Sequence, residues 1–300
     1  MEIQITTKLI ALLGKPLDHS FAARIQNEAF AAEGLDYYYY PSEVGKEDLK
    51  IVLEAARAQN YAGLVITKPN KVFVCGLLDD LDPLAAAMQS VNTVVKTKDG
   101  RLVGYNTDGL ACVKSLEDAG VRVKEERFFC IGAGGVGRSI AYTLAHCGAK
   151  KIWLTDVISE SADALGRDIN RDFPGVAEVV SMEKADLVRN VSGQAEVIMN
   201  LTGLGMGKSA GQMPFTPEIF HPGQLAFDAI YNPPETRFLK EAKARGCRTL
   251  NGMNMNVYQG AIGFQLHTGR KAPIGQMRRT VETILAERAA AEQRREETEG

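Results

Sequence analysis

The chain has 300 residues, 45% hydrophobic and 24% charged, with a formal net charge of −2, which fits a globular protein long enough for two domains. No basic block precedes residue 284, no apolar run approaches the roughly 18 residues of a membrane span, and Met1 to Lys8 lacks the apolar region of a secretory signal. Nucleic acid and membrane are therefore not expected as partners, and a cytoplasmic protein is. The five cysteines (Cys75, Cys112, Cys130, Cys147, Cys247) form no C-x-x-C pair and read as reduced, buried thiols, and the four histidines show no metal-ligand spacing.

Short apolar runs alternate with helix-length periodic segments, which argues an α/β architecture with largely parallel sheets. Leu9 to Leu13 reads as a first strand ending at Gly14-Lys15-Pro16. Phe21 to Glu33 reads as a helix with Ser20 as a candidate N-cap. A strand follows at Tyr37 to Tyr40, then an amphipathic helix over Lys46 to Gln59 with Leu49, Val52, Leu53 and Ala56 on one stripe. Ala62 to Thr67 is a third strand. Ser90 to Thr97 and Arg101 to Asn106 flank Lys98-Asp99-Gly100, a hairpin signal. A second unit begins near Arg127, with strands expected at Arg127 to Ile131, Lys151 to Thr155, Ala177 to Val180, Glu196 to Met199, Leu225 to Ile230 and Arg248 to Leu250. Met253 to Thr268 is helical, and the chain beyond Ile284 reads as a solvated helix end that frays.

Gly132-Ala133-Gly134-Gly135-Val136-Gly137 sits between an expected strand and an expected helix, the context that a G-x-G-x-x-G motif requires. One glycine permits the tight turn, one lets backbone approach a pyrophosphate, and one lets helix and strand pack closely. The helix N-terminus then presents N–H groups and positive dipole to the phosphates. Asp156 ends the next strand, 24 positions beyond Gly132, near the spacing of roughly 20 for an acid that binds adenosine ribose. Its charge repels a 2′-phosphate, and Val157-Ile158-Ser159 supplies no arginine to offset it. NAD is therefore expected over NADP. The alternative is that Asp156 only caps the following helix.

Hydride transfer between an alcohol and a nicotinamide needs a group that moves the hydroxyl proton. Lys71, after the third strand, and Asp108, in Tyr105-Asn106-Thr107-Asp108-Gly109, could form such a relay; each could equally be a surface charge or a cap. At these residues the sequence resembles the shikimate/quinate dehydrogenase family. Gly14-Lys15-Pro16 with His19-Ser20 and Asn27 resembles its N-terminal substrate loop. Thr67, Pro69 and Lys71 match its lysine segment, Ser90-Val91-Asn92-Thr93 its asparagine strand, and Asn106 to Gly109 its aspartate motif. Asn200, Thr202, Gly205 and Met206 resemble its nicotinamide loop. Asp228, Tyr231, Pro233 and Thr236 resemble its D-x-x-Y-x-P-x-x-T segment, and Gly252, Met255 and Gln259-Gly260-Ala261 its C-terminal helix.

The resemblance implies a fold of two domains. An N-terminal α/β substrate domain, residues 1–107, is completed by helices at 253–286. A Rossmann-type doubly wound NAD-binding domain covers 108–252, and 287–300 is a polar tail. It implies that Lys71 exchanges the proton with the reacting hydroxyl and that Asp108 hydrogen-bonds there. Ser20 would hold the substrate carboxylate, Asn92 and Gln259 would bind ring hydroxyls, and Thr67 and Tyr231 would complete the substrate site. Gly132, Gly134, Gly135, Val136, Gly137, Asp156, Thr202, Gly252 and Met255 would bind the cofactor. The implied reaction interconverts shikimate or quinate and its 3-dehydro ketone; a homodimer is left open.

The sequence also departs from the family. Its loop usually carries two hydroxyl residues, whereas Ser20-Phe21-Ala22 keeps one. Ala23 stands for the usual proline and Gln26 for the usual histidine. One lost charge-assisted hydrogen bond costs on the order of 1.5–3 kcal/mol, so the substrate binds weakly, or Arg24 substitutes, or the substrate differs. Lys68 stands at a usually apolar position and either snorkels to solvent or adds charge to the pocket mouth. A family-like enzyme for another hydroxy acid, and a non-catalytic NAD- or metabolite-sensing protein, are the rival readings.

Overall fold

In the computed structural model, which describes residues 3–17 and 20–299, the alternating apolar runs become strands of two sheets. Contacts divide the chain into one unit of residues 1–107 with 257–300 and a second of residues 108–256.

The first unit opens with β1 (Lys8–Gly14), α1 (Ala22–Ala32), β2 (Tyr37–Glu43), α2 (Lys46–Ala58) and β3 (Tyr61–Ile66). It continues with β4 (Asp80–Leu81), α3 (Pro83–Met88), β5 (Thr93–Lys96) and β6 (Leu102–Tyr105). The sheet order is β2-β1-β3-β5-β6-β4. β1 pairs in parallel with β2 and β3, and β5 is antiparallel to both its neighbours. Paired on both sides, β1 is buried over Ile10 to Gly14, which is why its sequence is a continuous apolar run rather than an alternating one. α2 buries Leu49, Leu53 and Ala56, a stripe at helical spacing, with Val52 partly buried beside them. α3 is capped by Asp82, whose side chain accepts the Leu84 N–H (3.1 Å), with Pro83 in the first turn.

The second unit starts with α4 (Asp108–Asp118). It then alternates β7 (Arg127–Ile131), α5 (Gly135–His146), β8 (Lys151–Thr155), α6 (Ser159–Asp172), β9 (Ala177–Val179), α7 (Ala185–Gln194) and β10 (Val197–Asn200). β11 (Leu225–Asp228), α8 (Arg237–Ala244) and β12 (Arg248–Asn251) complete it. The order is β12-β11-β10-β7-β8-β9, with every neighbouring pair parallel. The winding reverses between β7 and β10, which makes that crevice the topological switch point of a doubly wound sheet. Asn251, Asp228, Asn200, Ile131 and Thr155 lie in one register row across the carboxyl ends of the strands.

α9 (Met253–Thr268) and α10 (Ile274–Glu299) close the chain. Within the first unit α10 packs on α1, where the Thr280 hydroxyl donates to Glu28 (2.5 Å). The helix continues beyond Ile284 to Glu299. Glu287 pairs with Arg24 (2.5 Å), and the Arg288 guanidinium lies over the Phe21 ring at 4.3 Å. Among the described residues, no helix is long and apolar enough to cross a membrane.

Candidate active site

In the second unit the glycine-rich turn has the contacts that its mechanics demand. Gly132 leaves β7 with φ at +110°, and its N–H donates to the Thr155 carbonyl (2.8 Å). A Cβ on Gly137 would stand 1.9 Å from the Gly132 carbonyl oxygen, so only glycine lets α5 approach the end of β7 this closely. Gly134 and Gly135 face open space, at the N-cap and first residue of α5. The first turn, Gly135-Val136-Gly137, presents N–H groups that no helical carbonyl takes up, the usual anion site of such a turn.

Thr202, after β10, abuts this turn: a Cβ on Gly132 would lie 3.0 Å from Thr202 Cγ2. The switch-point crevice is thus bordered by the glycine turn and the Thr202 loop. Gly252 is held by Ala229, since a Cβ there would come within 2.1 Å of the Ala229 carbonyl oxygen, and Met255 is buried in the first turn of α9. Tyr231 is half-buried beyond β11.

In the first unit, the segment that carries Lys71 is tied on several sides. Thr67 N–H donates to Leu13 O (2.9 Å), Asn70 N–H to Thr67 O (2.9 Å), Lys15 N–H to Lys68 O (2.8 Å) and Val91 N–H to Lys71 O (2.9 Å). A Cβ on Gly14 would stand 2.3 Å from Thr67 Cγ2, so the glycine of Gly14-Lys15-Pro16 is what admits the lysine segment. Lys71 is half-buried, whereas Lys68 is exposed at the surface. Asn92 and Thr107 are brought together: the Asn92 amide nitrogen donates to Thr107 Oγ1 (3.0 Å), and Asn92 Oδ1 accepts the Thr107 N–H (2.9 Å). Thr107 Oγ1 also reaches the Gln259 carbonyl at 3.5 Å. Asp108 follows directly as the first residue of α4 in the second unit, and is buried.

Ser20 does not cap α1 as expected. The helix begins at Ala22 with Phe21 at the N-cap, and the exposed Ser20 hydroxyl accepts the Ala22 N–H (3.3 Å). Arg24, the candidate substitute for the missing hydroxyl of Ala22, has its guanidinium engaged by Glu28 (2.9 Å) and Glu287. Gln26 and Asn27 brace the fold: Gln26 donates to Gly260 O (2.9 Å), and Asn27 exchanges two hydrogen bonds with the Tyr39 backbone. His19 lies outside the described residues.

Two further polar residues of this row stand in the segments that resemble the family, with no role assigned to them from sequence. Asn200 and Asp228 are fully buried at the ends of β10 and β11. Asp228 accepts from Thr236 Oγ1 (2.6 Å), the Ile230 N–H (3.0 Å) and the Asn200 amide (3.2 Å). Burial pushes its carboxyl up to about 6, against the downward pull of those bonds. The sequence also marks them as a polar residue ending an otherwise apolar strand, in Val197-Ile198-Met199-Asn200 and Leu225-Ala226-Phe227-Asp228. A separate cavity of about 550 Å³ lies against α7, lined by Val188, Met213, Phe215 and Ile219, and contains none of the candidate residues.

Comparison with known proteins decides the family. Residues 12–94 match the shikimate dehydrogenase substrate binding domain, and residues 252–282 the shikimate 5′-dehydrogenase C-terminal domain. A relative from Moorella thermoacetica, named shikimate dehydrogenase (NADP(+)), is 37% identical over 285 residues, 95% of this chain and 96% of its own. The chain belongs to the shikimate dehydrogenase family. A second family member, from Alkaliphilus oremlandii and also named shikimate dehydrogenase (NADP(+)), is 39% identical over 92% of this chain and 97% of its own. The solved shikimate 5-dehydrogenase of Listeria monocytogenes, in complex with shikimate and NAD, superposes with a TM-score of 0.89 at 33% identity, covering 94% of this chain and 98% of its own. A shikimate dehydrogenase solved with NADP+ gives a TM-score of 0.88 at 34% identity, covering 95% and 98%. These shikimate dehydrogenases share the two-domain α/β fold, with its Rossmann-type nucleotide domain, and the oxidoreductase class.

The expected preference for NAD over NADP is overturned by these relatives, which are named for NADP(+), and by the NADP+ bound to one structural neighbour. The inference had rested on the Asp156 carboxylate. In the structure both its oxygens serve the turn: Ala133 N–H donates to Oδ2 (2.6 Å) and Ile158 N–H to Oδ1 (2.8 Å). A carboxylate with this work is accounted for without a ribose, and the two N–H dipoles offset part of the repulsion on which the inference relied.

Proposed function

We propose that this chain interconverts shikimate and its 3-dehydro ketone by hydride transfer, with NADP(H) as the dinucleotide. The observation that carries the reading is its similarity along nearly the whole chain to shikimate dehydrogenases named for NADP(+). The cofactor supplies the hydride chemistry, and the protein supplies binding, orientation and proton movement. The glycine turn with α5 holds the pyrophosphate, and Thr202, Gly252 and Met255 belong to the nicotinamide side. Lys71 exchanges the proton with the reacting hydroxyl, and Asp108 hydrogen-bonds to the substrate. Ser20 takes the carboxylate, while Thr67, Asn92, Tyr231 and Gln259 bind the ring.

The test is Lys71→Ala. It is expected to lower shikimate oxidation by on the order of 10²–10⁴-fold, the usual worth of a general acid-base group, with NADPH binding kept. Undiminished turnover would remove Lys71 from the reaction. Quinate is to be assayed beside shikimate, since Ala22 leaves the carboxylate loop one hydroxyl short.

A further inference from the structure

The hydrogen bonds at the carboxyl ends of β10 and β11 have a fixed direction. Asp228, when ionised, only accepts. The Asn200 amide must therefore turn its nitrogen toward Asp228 (3.2 Å), where it also reaches the Leu204 carbonyl (3.1 Å). Its oxygen then faces the other way and accepts both the Thr202 hydroxyl (2.7 Å) and the Thr202 N–H (3.2 Å). The single proton of the Thr202 hydroxyl is thereby spent, and its oxygen accepts the Leu204 N–H (3.1 Å). One lone pair is left, so toward a ligand Thr202 Oγ1 acts as an acceptor.

We propose that Asp228 and Asn200 are positioning residues that set the Thr202 hydroxyl as an acceptor for a donor on the nicotinamide half of the cofactor. The proposal rests on the reading that this unit holds a nicotinamide dinucleotide. Thr202 abuts Gly132 at the switch point, the place where such a ligand binds. Phosphate oxygens only accept at neutral pH and cannot use this hydroxyl. The carboxamide N–H, the ribose hydroxyls and the adenine amino group can donate to it, and of these the nicotinamide half is the one on this side, because Thr202 follows β10, across β7 from the β8 end where adenosine binds in such a fold. The buried carboxylate thus selects, two side chains away, which part of the cofactor the loop receives.

The test compares two probes by calorimetry on the intact protein: NADPH, and adenosine 2′,5′-bisphosphate, which lacks the nicotinamide half. Asp228→Asn and Thr202→Val are each expected to weaken NADPH about tenfold, the worth of one hydrogen bond, and to leave the bisphosphate within about twofold. The exchange variant N200D/D228N is expected to recover part of the loss, because an aspartate at 200 still accepts from Thr202 while an asparagine at 228 donates to it; the bond to the Leu204 carbonyl is not restored. Unchanged NADPH affinity in Thr202→Val, or equal loss of both probes in Asp228→Asn and the exchange variant, would overturn the proposal. If Asp228→Asn fails to fold, Thr202→Val decides alone. Wild-type protein that binds no nicotinamide dinucleotide would instead overturn the functional reading, and this inference with it.

Discussion

Gly135 and Gly137 share the first turn of α5, yet a methyl group has opposite consequences at them. At Gly137 it would meet the Gly132 carbonyl at 1.9 Å, whereas at Gly135 it meets open space. Gly137→Ala is expected to cost about 2 kcal/mol or more, because the obstacle is backbone and cannot rotate away. Gly135→Ala is expected to be neutral or slightly stabilising, since alanine favours the helix. Thermal unfolding of the two variants checks both; equal losses would contradict the geometry. Asp228 yields a pH prediction. Its folded carboxyl titrates near 6 because burial disfavours the charge, against about 3.9 when unfolded. The folded state therefore holds its proton more tightly. That contribution is fully present below pH 4 and is lost as pH rises through 6. Denaturation of wild type and Asp228→Asn across this window should show the stability difference shifting by on the order of 3 kcal/mol in favour of the variant as pH rises. Parallel curves would contradict a buried, shifted carboxyl. At this scale the sequence was informative about glycines, whose steric role follows from motif context. It was uninformative about Asp156, whose charge could be read but whose backbone partners could not.

Strands and some helices were legible where one physical signal dominated. The continuous apolar runs of β1, β7 and β8 come from burial on both faces, and the stripe of α2 from burial on one. Short elements escaped: β4 and α3 are too brief for periodicity to register, and α3 is marked only by Asp82-Pro83. The end of α10 escaped for a different reason. Its Ala, Glu, Arg and Gln composition has no apolar stripe, and its attachment to α1 is through Glu287 and Arg288. Arg24 ties α1 to the end of α10. Arg24→Ala is expected to leave the KM for shikimate unchanged and to speed amide exchange around residues 285–290. A raised KM with unchanged exchange would return Arg24 to the substrate loop.

For the whole molecule, alternating strands and helices gave the α/β class, and ordered motifs gave the family, since both are properties of long stretches of chain. Cofactor choice was misread because it turns on one or two contacts at the ribose, where a single charge was given more weight than its surroundings allow. The proposed activity is that of a shikimate dehydrogenase that uses NADP(H). The most direct measurement is the initial rate of nicotinamide reduction by purified protein, with shikimate or quinate, and with NADP+ or NAD+, across wide concentration ranges. Turnover of shikimate is expected, with kcat/KM higher for NADP+ than for NAD+. No turnover of shikimate with either dinucleotide, while the dinucleotide still binds, would contradict it.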